Sequence, residues 1–221
     1  MNKTDQSINF NISGIKLKFK SQAKELNEFI KAFTGFSVST SKENDKYNIV
    51  VEFKNNEKMH IGKGFRKISR NIWLNENEII LTNFGRMPSL SFQIRAENNN
   101  FFIKAFLDQN RNGLFTRIWR NYLKTQRYLL LTYYLIFMPC FFYLERIRKH
   151  QLIHASAFEH RGKGIILTGL GGVGKSTLSL AALLWPENRF LSDNIIFYND
   201  EKIYSLKSPI AADQKLSSNT K

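Results

Sequence analysis

The sequence predicts an α/β fold organised around a glycine-rich bend between a strand and a helix. Three observations predict it. Ile165-Ile166-Leu167 reads as a buried strand that runs through Thr168 into Gly169-Leu170-Gly171-Gly172-Val173-Gly174-Lys175-Ser176, and the apolar stretch 177–184 continues as a helix. Residues 8–107 read mostly as short strands divided by Asn, Lys and Gly, with one helical stretch among them. Between these regions, residues 114–150 carry a helical pattern. The expected organisation is an α+β N-terminal module over 1–110, a helical connector over 111–150 and the α/β core over 151–221.

The elements follow in order. Residues 15–19 alternate apolar and lysine, as a half-buried strand does, and 47–53, 79–82, 90–95 and 101–106 read similarly. Asn55-Asn56 and Asn98-Asn99-Asn100 supply turn material. Residues 21–33 place apolar side chains at helical spacing, with Ser21 as the expected cap. This N-terminal module holds no cluster of His, Cys, Asp or Glu that suggests chemistry. The helical segment centres on an uncharged run, 128–144, flanked by Arg127 and Glu145-Arg146. A membrane span needs ~20 apolar residues, and this run sits at the lower limit. Four tyrosines and Thr132 dilute it, and Pro139 is expected to end or kink the helix near Met138. A buried helix, a peripheral contact and a span are the three readings, with the buried one favoured by length. Beyond it, strands are expected at 152–158, 164–168, 190–192, 195–198 and 202–205, and a polar, frayed stretch at 211–221.

Composition narrows the classes. The chain has 221 residues, of which 43% are apolar and 23% charged, ordinary values for a globular protein. One cysteine, Cys140, excludes an internal disulfide framework and a multi-cysteine zinc site, and a cytoplasmic location is expected. No apolar stretch follows Lys3, so no secretory signal is expected. The formal net charge is +15. Ten Lys and Arg against two Glu lie between Arg111 and Lys163. Such charge suits a nucleic acid, an anionic membrane surface or a polyphosphate substrate, and equally a solvated basic face.

The bend fits G-x-x-x-x-G-K-[ST] without exception. Glycines at 169, 171, 172 and 174 let the backbone turn with positive φ and bring successive N–H groups near phosphate oxygens. The helix start adds unsatisfied N–H groups and about half a positive charge of dipole. Lys175 is placed to reach the β- and γ-phosphates, and the Ser176 hydroxyl to ligate Mg²⁺, with Thr177 closing the loop. Gly169, Leu170, Gly171, Gly172, Val173, Gly174, Lys175, Ser176 and Thr177 are therefore the expected contacts of a nucleoside triphosphate.

Neighbouring residues separate the families that share this wording. ParA/MinD-like ATPases carry a second lysine where Leu170 stands, and STAND ATPases place their acidic strand much further downstream. The chain more closely resembles the HPr kinase/phosphorylase superfamily, whose fold is related to phosphoenolpyruvate carboxykinase. Leu152-Ile153-His154-Ala155-Ser156-Ala157-Phe158 looks like that family's strand with a His-Ala-Ser core. Gly162-Lys163-Gly164 and the loop follow, and Phe190-Leu191-Ser192-Asp193-Asn194 is similar to its hydrophobic-x-Asp-Asp segment. The resemblance covers roughly residues 151–208. It implies ATP and Mg²⁺ as cofactors and phosphoryl transfer to a hydroxyl of a protein or peptide. It also implies that Asp193 acts near the acceptor hydroxyl and the metal, with His154 beside it. By residue type alone, Asp193-Asn194 also suits a turn and His154 a satisfied core histidine. Asn194 departs from the second aspartate. The family's acceptor-binding strands, further acidic residue, phosphate-contacting arginine and closing helices lie beyond Lys221, so the core is expected to be incomplete.

Three functions stand at this point. The first is an ATP-dependent, HPr-kinase-like serine kinase using Lys175, Ser176 and Asp193 with His154. The second is a nucleotide-binding regulatory subunit or fragment, as a homo-oligomer or with a separately encoded C-terminal half. The third is a basic membrane- or nucleic-acid-associated protein, which lacks a recognisable nucleic-acid motif.

Overall fold

A computed structural model describes residues 6–35, 38–39, 46–87, 89–108, 124–193 and 195–205. The fold is mixed α/β, and the chain divides into two compact units, Met1–Arg148 and Lys149–Lys221. The sequence expectations for 111–123, Asn194 and 206–221 lie outside the described residues.

The first unit is built on an eight-stranded mixed sheet. Its elements are β1 (Gln6–Ile12), β2 (Ile15–Ser21), α1 (Lys24–Phe33), β3 (Ile49–Asn55), β4 (Arg66–Ser69), β5 (Ile72–Leu74), β6 (Glu78–Leu81), β7 (Leu90–Glu97) and β8 (Asn100–Leu107). The strand order is β1-β2-β3-β8-β7-β6-β5-β4, with β2, β3 and β8 parallel and the outer pairs antiparallel. A parallel pair cannot be closed by a hairpin, so the connection carrying α1 links β2 to β3. Tight hairpins occur where the sequence permits left-handed residues: Ser13 and Gly14 have φ of 50° and 76°, and Asn98 and Asn99 have 48° and 63°. On β2, Ile15, Leu17 and Phe19 are buried while Lys16, Lys18 and Lys20 face outward, the period-two pattern of a one-sided sheet.

The expected cap at Ser21 is not the helix start. Ser21 ends β2, paired with Phe53, and its hydroxyl accepts the Ala23 N–H at 3.0 Å. The sheet ladder claims the residue, and α1 begins three positions later, without a side-chain cap.

A long helix, α2 (Lys124–Arg146), belongs to this same unit. By length and composition it is the one helix among the described residues able to cross a membrane, yet 56% of its most apolar window is buried in protein. Leu131, Leu135, Ile136, Cys140 and Leu144 lie inside, each aliphatic side chain contributing about 1.5–3 kcal/mol by burial. Two of the tyrosines that interrupt the apolar run have partners in the loops of the sheet. Tyr143 Oη accepts from Asn48 Nδ2 at 2.9 Å, and Tyr134 Oη accepts the Arg86 N–H at 3.1 Å. At its start, Lys124 pairs with Glu25 of α1 at 2.7 Å and Tyr128 donates to the same carboxylate at 2.9 Å. These bonds, that of Lys124 foremost, hold the Glu25 carboxyl below its ordinary range. Beyond the end of α2, the Arg148 guanidinium donates to the Gly14 carbonyl at 2.8 Å.

Pro139 does not end the helix. Instead, a π turn over Tyr133–Phe137 precedes it, and the α-helical coil resumes at Met138. A proline removes one backbone bond and crowds the carbonyl four residues back; the widened turn relieves both without a break.

The second unit contains β9 (Gln151–Ile153), β10 (Ser156–His160), β11 (Lys163–Leu167), α3 (Lys175–Ala182), β12 (Asn188–Ser192), β13 (Ile196–Tyr198) and β14 (Ile203–Ser205). They form two antiparallel three-stranded sheets, β11-β10-β12 and β14-β13-β9. The strand expected over 152–158 is broken at His154-Ala155. Its halves pair in different sheets, Ile153 with Ile196 and Ala157 with Ser192. The segment paired with it switches sheets at the same place, between Ser192 and Ile196. Fully buried Ala155, Ala157 and Ile196, with Ile153, Ile166, Leu191 and Ile203 around them, form the small core at this corner.

Two outcomes test this packing. Gly85 has φ of 59°, and a Cβ there would overlap the Tyr134 side chain. Gly85→Ala is expected to lower stability by about 2 kcal/mol or more in chemical denaturation, while Gly62→Ala, which meets nothing within 4 Å, leaves the midpoint within ~0.5 kcal/mol. Complete burial pushes the Cys140 thiol far above its ordinary pKa. Alkylation by iodoacetamide at pH 8 is therefore expected to be slow in the folded chain and to reach the rate of a free thiol in denaturant.

Candidate functional site

The site grows from the way β11 turns into α3. After Leu167 the chain runs through Thr168 into an exposed bend, and three glycines in it take positive φ: Gly169 at 151°, Gly172 at 80° and Gly174 at 91°. Side chains with a Cβ rarely adopt these angles, which is why the bend needs glycine at these positions. Gly174 is the N-cap of α3 in the left-handed conformation, and no side chain caps the helix. The amides of the first turn, including those of Lys175 and Ser176, thus have no intrahelical or capping partner. They open toward solvent at the positive end of the helix dipole, an arrangement suited to an anion.

Two side chains finish the bend. The Lys175 ammonium folds back and donates to the carbonyls of Gly169 and Leu170, each at 2.9 Å. One unit of positive charge is thereby held against the loop. The Ser176 hydroxyl donates to Asp193 Oδ1 at 2.8 Å. Asp193 follows the last residue of β12, at the end of the sheet where β11 also ends, because β11 and β12 each run antiparallel to β10 between them. The sequence-expected pair Ser176 and Asp193 is therefore brought together. Asp193 is bonded to the loop helix rather than serving only as a turn residue.

His154 is exposed, so it is not a core histidine. It occupies the sheet-switching corner between β9 and β10, and Asp193 occupies the facing corner between β12 and β13. The flanking pairs Ile153–Ile196 and Ala157–Ser192 bracket both residues. The other two histidines of this unit serve structure. His160 Nδ1 meets Asn188 Oδ1 at 2.6 Å, and His150 stacks on Tyr204 with ring centroids 4.3 Å apart.

Two cavities, of about 290 and 360 Å³, lie in the first unit, lined by residues such as Trp73, Phe106 and Asp108 in one and Phe53, Lys124 and Tyr128 in the other. Neither touches the bend. A glycine loop grips its ligand from an open surface by backbone amides and does not depend on an enclosed pocket. Leu170 and Val173 stand outward from it, 82% and 60% exposed.

The donor set also bears on metal. A hydroxyl oxygen and a carboxylate oxygen are hard ligands suited to Mg²⁺, whose oxygens sit at about 2.0–2.1 Å, so adjacent ligands of an octahedron lie roughly 2.9 Å apart. The Ser176–Asp193 separation of 2.8 Å is that of such an edge. Sequence reasoning gave no role to two residues here, Ser156 on β10 and Ser179 on α3, both fully buried. Ser156 carried the signal of its place in the His-Ala-Ser strand, and Ser179 only that of a serine in an otherwise apolar helix. The chain matches no protein-family model, no curated protein and no solved structure.

The bend's geometry makes one expectation about folding alone. Gly174→Ala forces a Cβ onto φ of 91° and is expected to lower the unfolding midpoint and speed amide hydrogen exchange in the first turn of α3. Gly171→Ala, with no positive φ and nothing within 4 Å, leaves both unchanged.

Proposed function

We propose that residues 169–177 hold the polyphosphate of ATP with Mg²⁺, in a P-loop kinase core of the HPr kinase/phosphoenolpyruvate carboxykinase type, in a cytoplasmic protein. The observation that carries this reading is the convergence of three groups on one bend: the uncapped helix start at Gly174, the Lys175 ammonium over the loop and the Ser176–Asp193 pair at 2.8 Å. Backbone amides of Gly171, Gly172, Val173, Gly174, Lys175, Ser176 and Thr177 supply the donors, and Lys175 exchanges its loop carbonyls for β- and γ-phosphate oxygens. Mg²⁺, when bound, spreads and neutralises the charge of the transferring phosphoryl group. Ser176 and Asp193 are the residues that would hold it.

The reaction is transfer of the γ-phosphoryl group of ATP to a serine hydroxyl of a protein or peptide. Asp193 orients that hydroxyl and takes up its proton as the oxygen–phosphorus bond forms and ADP leaves. His154, on the facing corner, supports the carboxylate. Catalysis of this kind rests on positioning and charge rather than on covalent help from the protein.

A second reading, a nucleotide-binding regulatory subunit with little or no turnover, is favoured by a specific observation. Among the described residues no strand pairs with the outer edge of β11, the strand that leads into the bend; Ile165 on it is exposed, as are Leu178 on α3 and Leu184 and Trp185 after it. Such an edge suits completion by a second copy or a separately encoded half. The membrane and nucleic-acid reading keeps only the net charge as its motive, since the apolar run of α2 has a buried role.

Calorimetric titration with ATP and Mg²⁺ tests the proposal. Lys175→Ala is expected to weaken binding by roughly tenfold to a hundredfold, the worth of charged hydrogen bonds. Equal binding by the variant and the parent chain would overturn the assignment. Transfer of labelled phosphate to protein or peptide acceptors, lost in Asp193→Asn, separates the kinase from the regulatory subunit.

A further inference from the structure

We infer that Ser156 is a positioning residue for the metal-binding pair, setting Ser176 against Asp193 through the buried hydroxyl of Ser179. The inference rests on the nucleotide-binding reading above and adds residues that no phosphate-loop pattern includes.

Ser156 lies on β10 and Ser179 on α3, both with no exposed surface. Their hydroxyl oxygens are 2.6 Å apart. Ser179 Oγ also donates to the Ser176 carbonyl at 3.0 Å, and Ser156 Oγ lies 3.5 Å from the Ser192 carbonyl. These contacts outline a ring, although its Ser156–Ser192 link, at 3.5 Å, is a hydrogen bond in only one arrangement of the protons. It runs from the Ser176 hydroxyl to Asp193, along the peptide to the Ser192 carbonyl, across Ser156 and Ser179, and back to the Ser176 carbonyl.

Two hydroxyl protons serve this ring, and a hydroxyl donates only once. Either Ser156 donates to Ser179 and Ser179 to the Ser176 carbonyl, or the order reverses and Ser156 donates to the Ser192 carbonyl. The distances of 3.0 and 3.5 Å favour the first arrangement. In both, the hydroxyl pair ties the loop helix to β10, next to the strand that carries Asp193.

The surroundings argue against simple core filling. Ala155, Ala157 and Ala182 are buried in the same small unit, so alanine already serves where its interior takes a small side chain. Replacing both partners of a buried hydrogen bond by apolar groups of similar shape is nearly neutral for stability. What the hydroxyls add is direction. Mg²⁺ demands near-ideal octahedral geometry, so a few tenths of an ångström between its serine and carboxylate ligands decide whether both bind. The Ser156–Ser179 pair, which holds α3 on β10 beside the strand leading to Asp193, sets that distance before the metal arrives.

The test is ATP binding measured in Mg²⁺ and in EDTA. In the parent chain Mg²⁺ tightens binding. In Ser156→Ala the EDTA affinity is expected to stay within about twofold of the parent, while the gain from Mg²⁺ falls roughly three- to tenfold, the worth of one hydrogen bond. Ser179→Ala is expected to do the same from the other side, and serves if Ser156→Ala fails to fold. Ser156→Cys, similar in size and a weak donor, restores part of the gain. An unchanged Mg²⁺ gain in both alanine variants overturns the inference while leaving nucleotide binding intact. Equal losses in Mg²⁺ and EDTA, with a lowered melting temperature, overturn it in favour of a purely structural role. If the parent chain binds no ATP, both this inference and the reading beneath it fall.

Discussion

A helix begins with amide hydrogens that its own backbone cannot use, and a protein normally satisfies them with a serine, threonine or aspartate cap. At α3 the cap position is Gly174, which has no side chain to offer. The donors are left for something else, and the neighbouring features follow from that. Glycines bend the chain close enough for the donors to converge. The lysine takes the loop's own carbonyls, and the serine one position later finds the only negative group bonded to it, Asp193. Filling the cap with an ordinary side chain would satisfy the helix and remove the reason for the rest.

The first unit obeys a different constraint, the need to cover one face of a broad sheet. Parallel β2, β3 and β8 place Leu17, Phe19, Ile49, Val51, Phe101 and Ile103 on a single side. A ten-residue helix such as α1 cannot shield that width. The longer α2 does, and its tyrosines bring hydroxyls to meet Asn48 and the Arg86 amide at the sheet. Polar residues that looked like impurities in an apolar run are its points of attachment. An aromatic side chain buries a large area while its hydroxyl still finds a partner.

Legibility in the sequence tracked how tightly geometry dictates residue type. The bend was plain because the left-handed angles at its positions 169, 172 and 174 favour glycine, between an apolar strand and an apolar helix. Central strands β2, β3, β7 and β8 were plain because alternation reports a one-sided sheet. Strands β4 and β5 were not, since their residues are largely exposed and the ladder, rather than any pattern, makes them strands. The corner at His154 and Asp193 was hidden for a related reason. Apolar residues continue on both sides of it, and a switch of partner sheet leaves no mark on hydrophobic periodicity. Ser179 was hidden because a buried serine in an apolar run is indistinguishable from dilution until its partner is seen across the fold, and the contact that Ser156 makes was hidden with it.

The widened turn in α2 has a consequence for how this chain tolerates change in length. A π turn holds one residue more than the α-helical coil would. Removing a single residue from Tyr133–Phe137 would restore regular winding and keep the two halves nearly in phase, whereas removing Met138 from the regular coil would rotate everything after it by about 100°. Cys140, Tyr143 and Leu144 would swing off the sheet, and Asn48 would lose its partner. The irregular turn acts as a phase adjuster that lets two helical halves share one buried stripe.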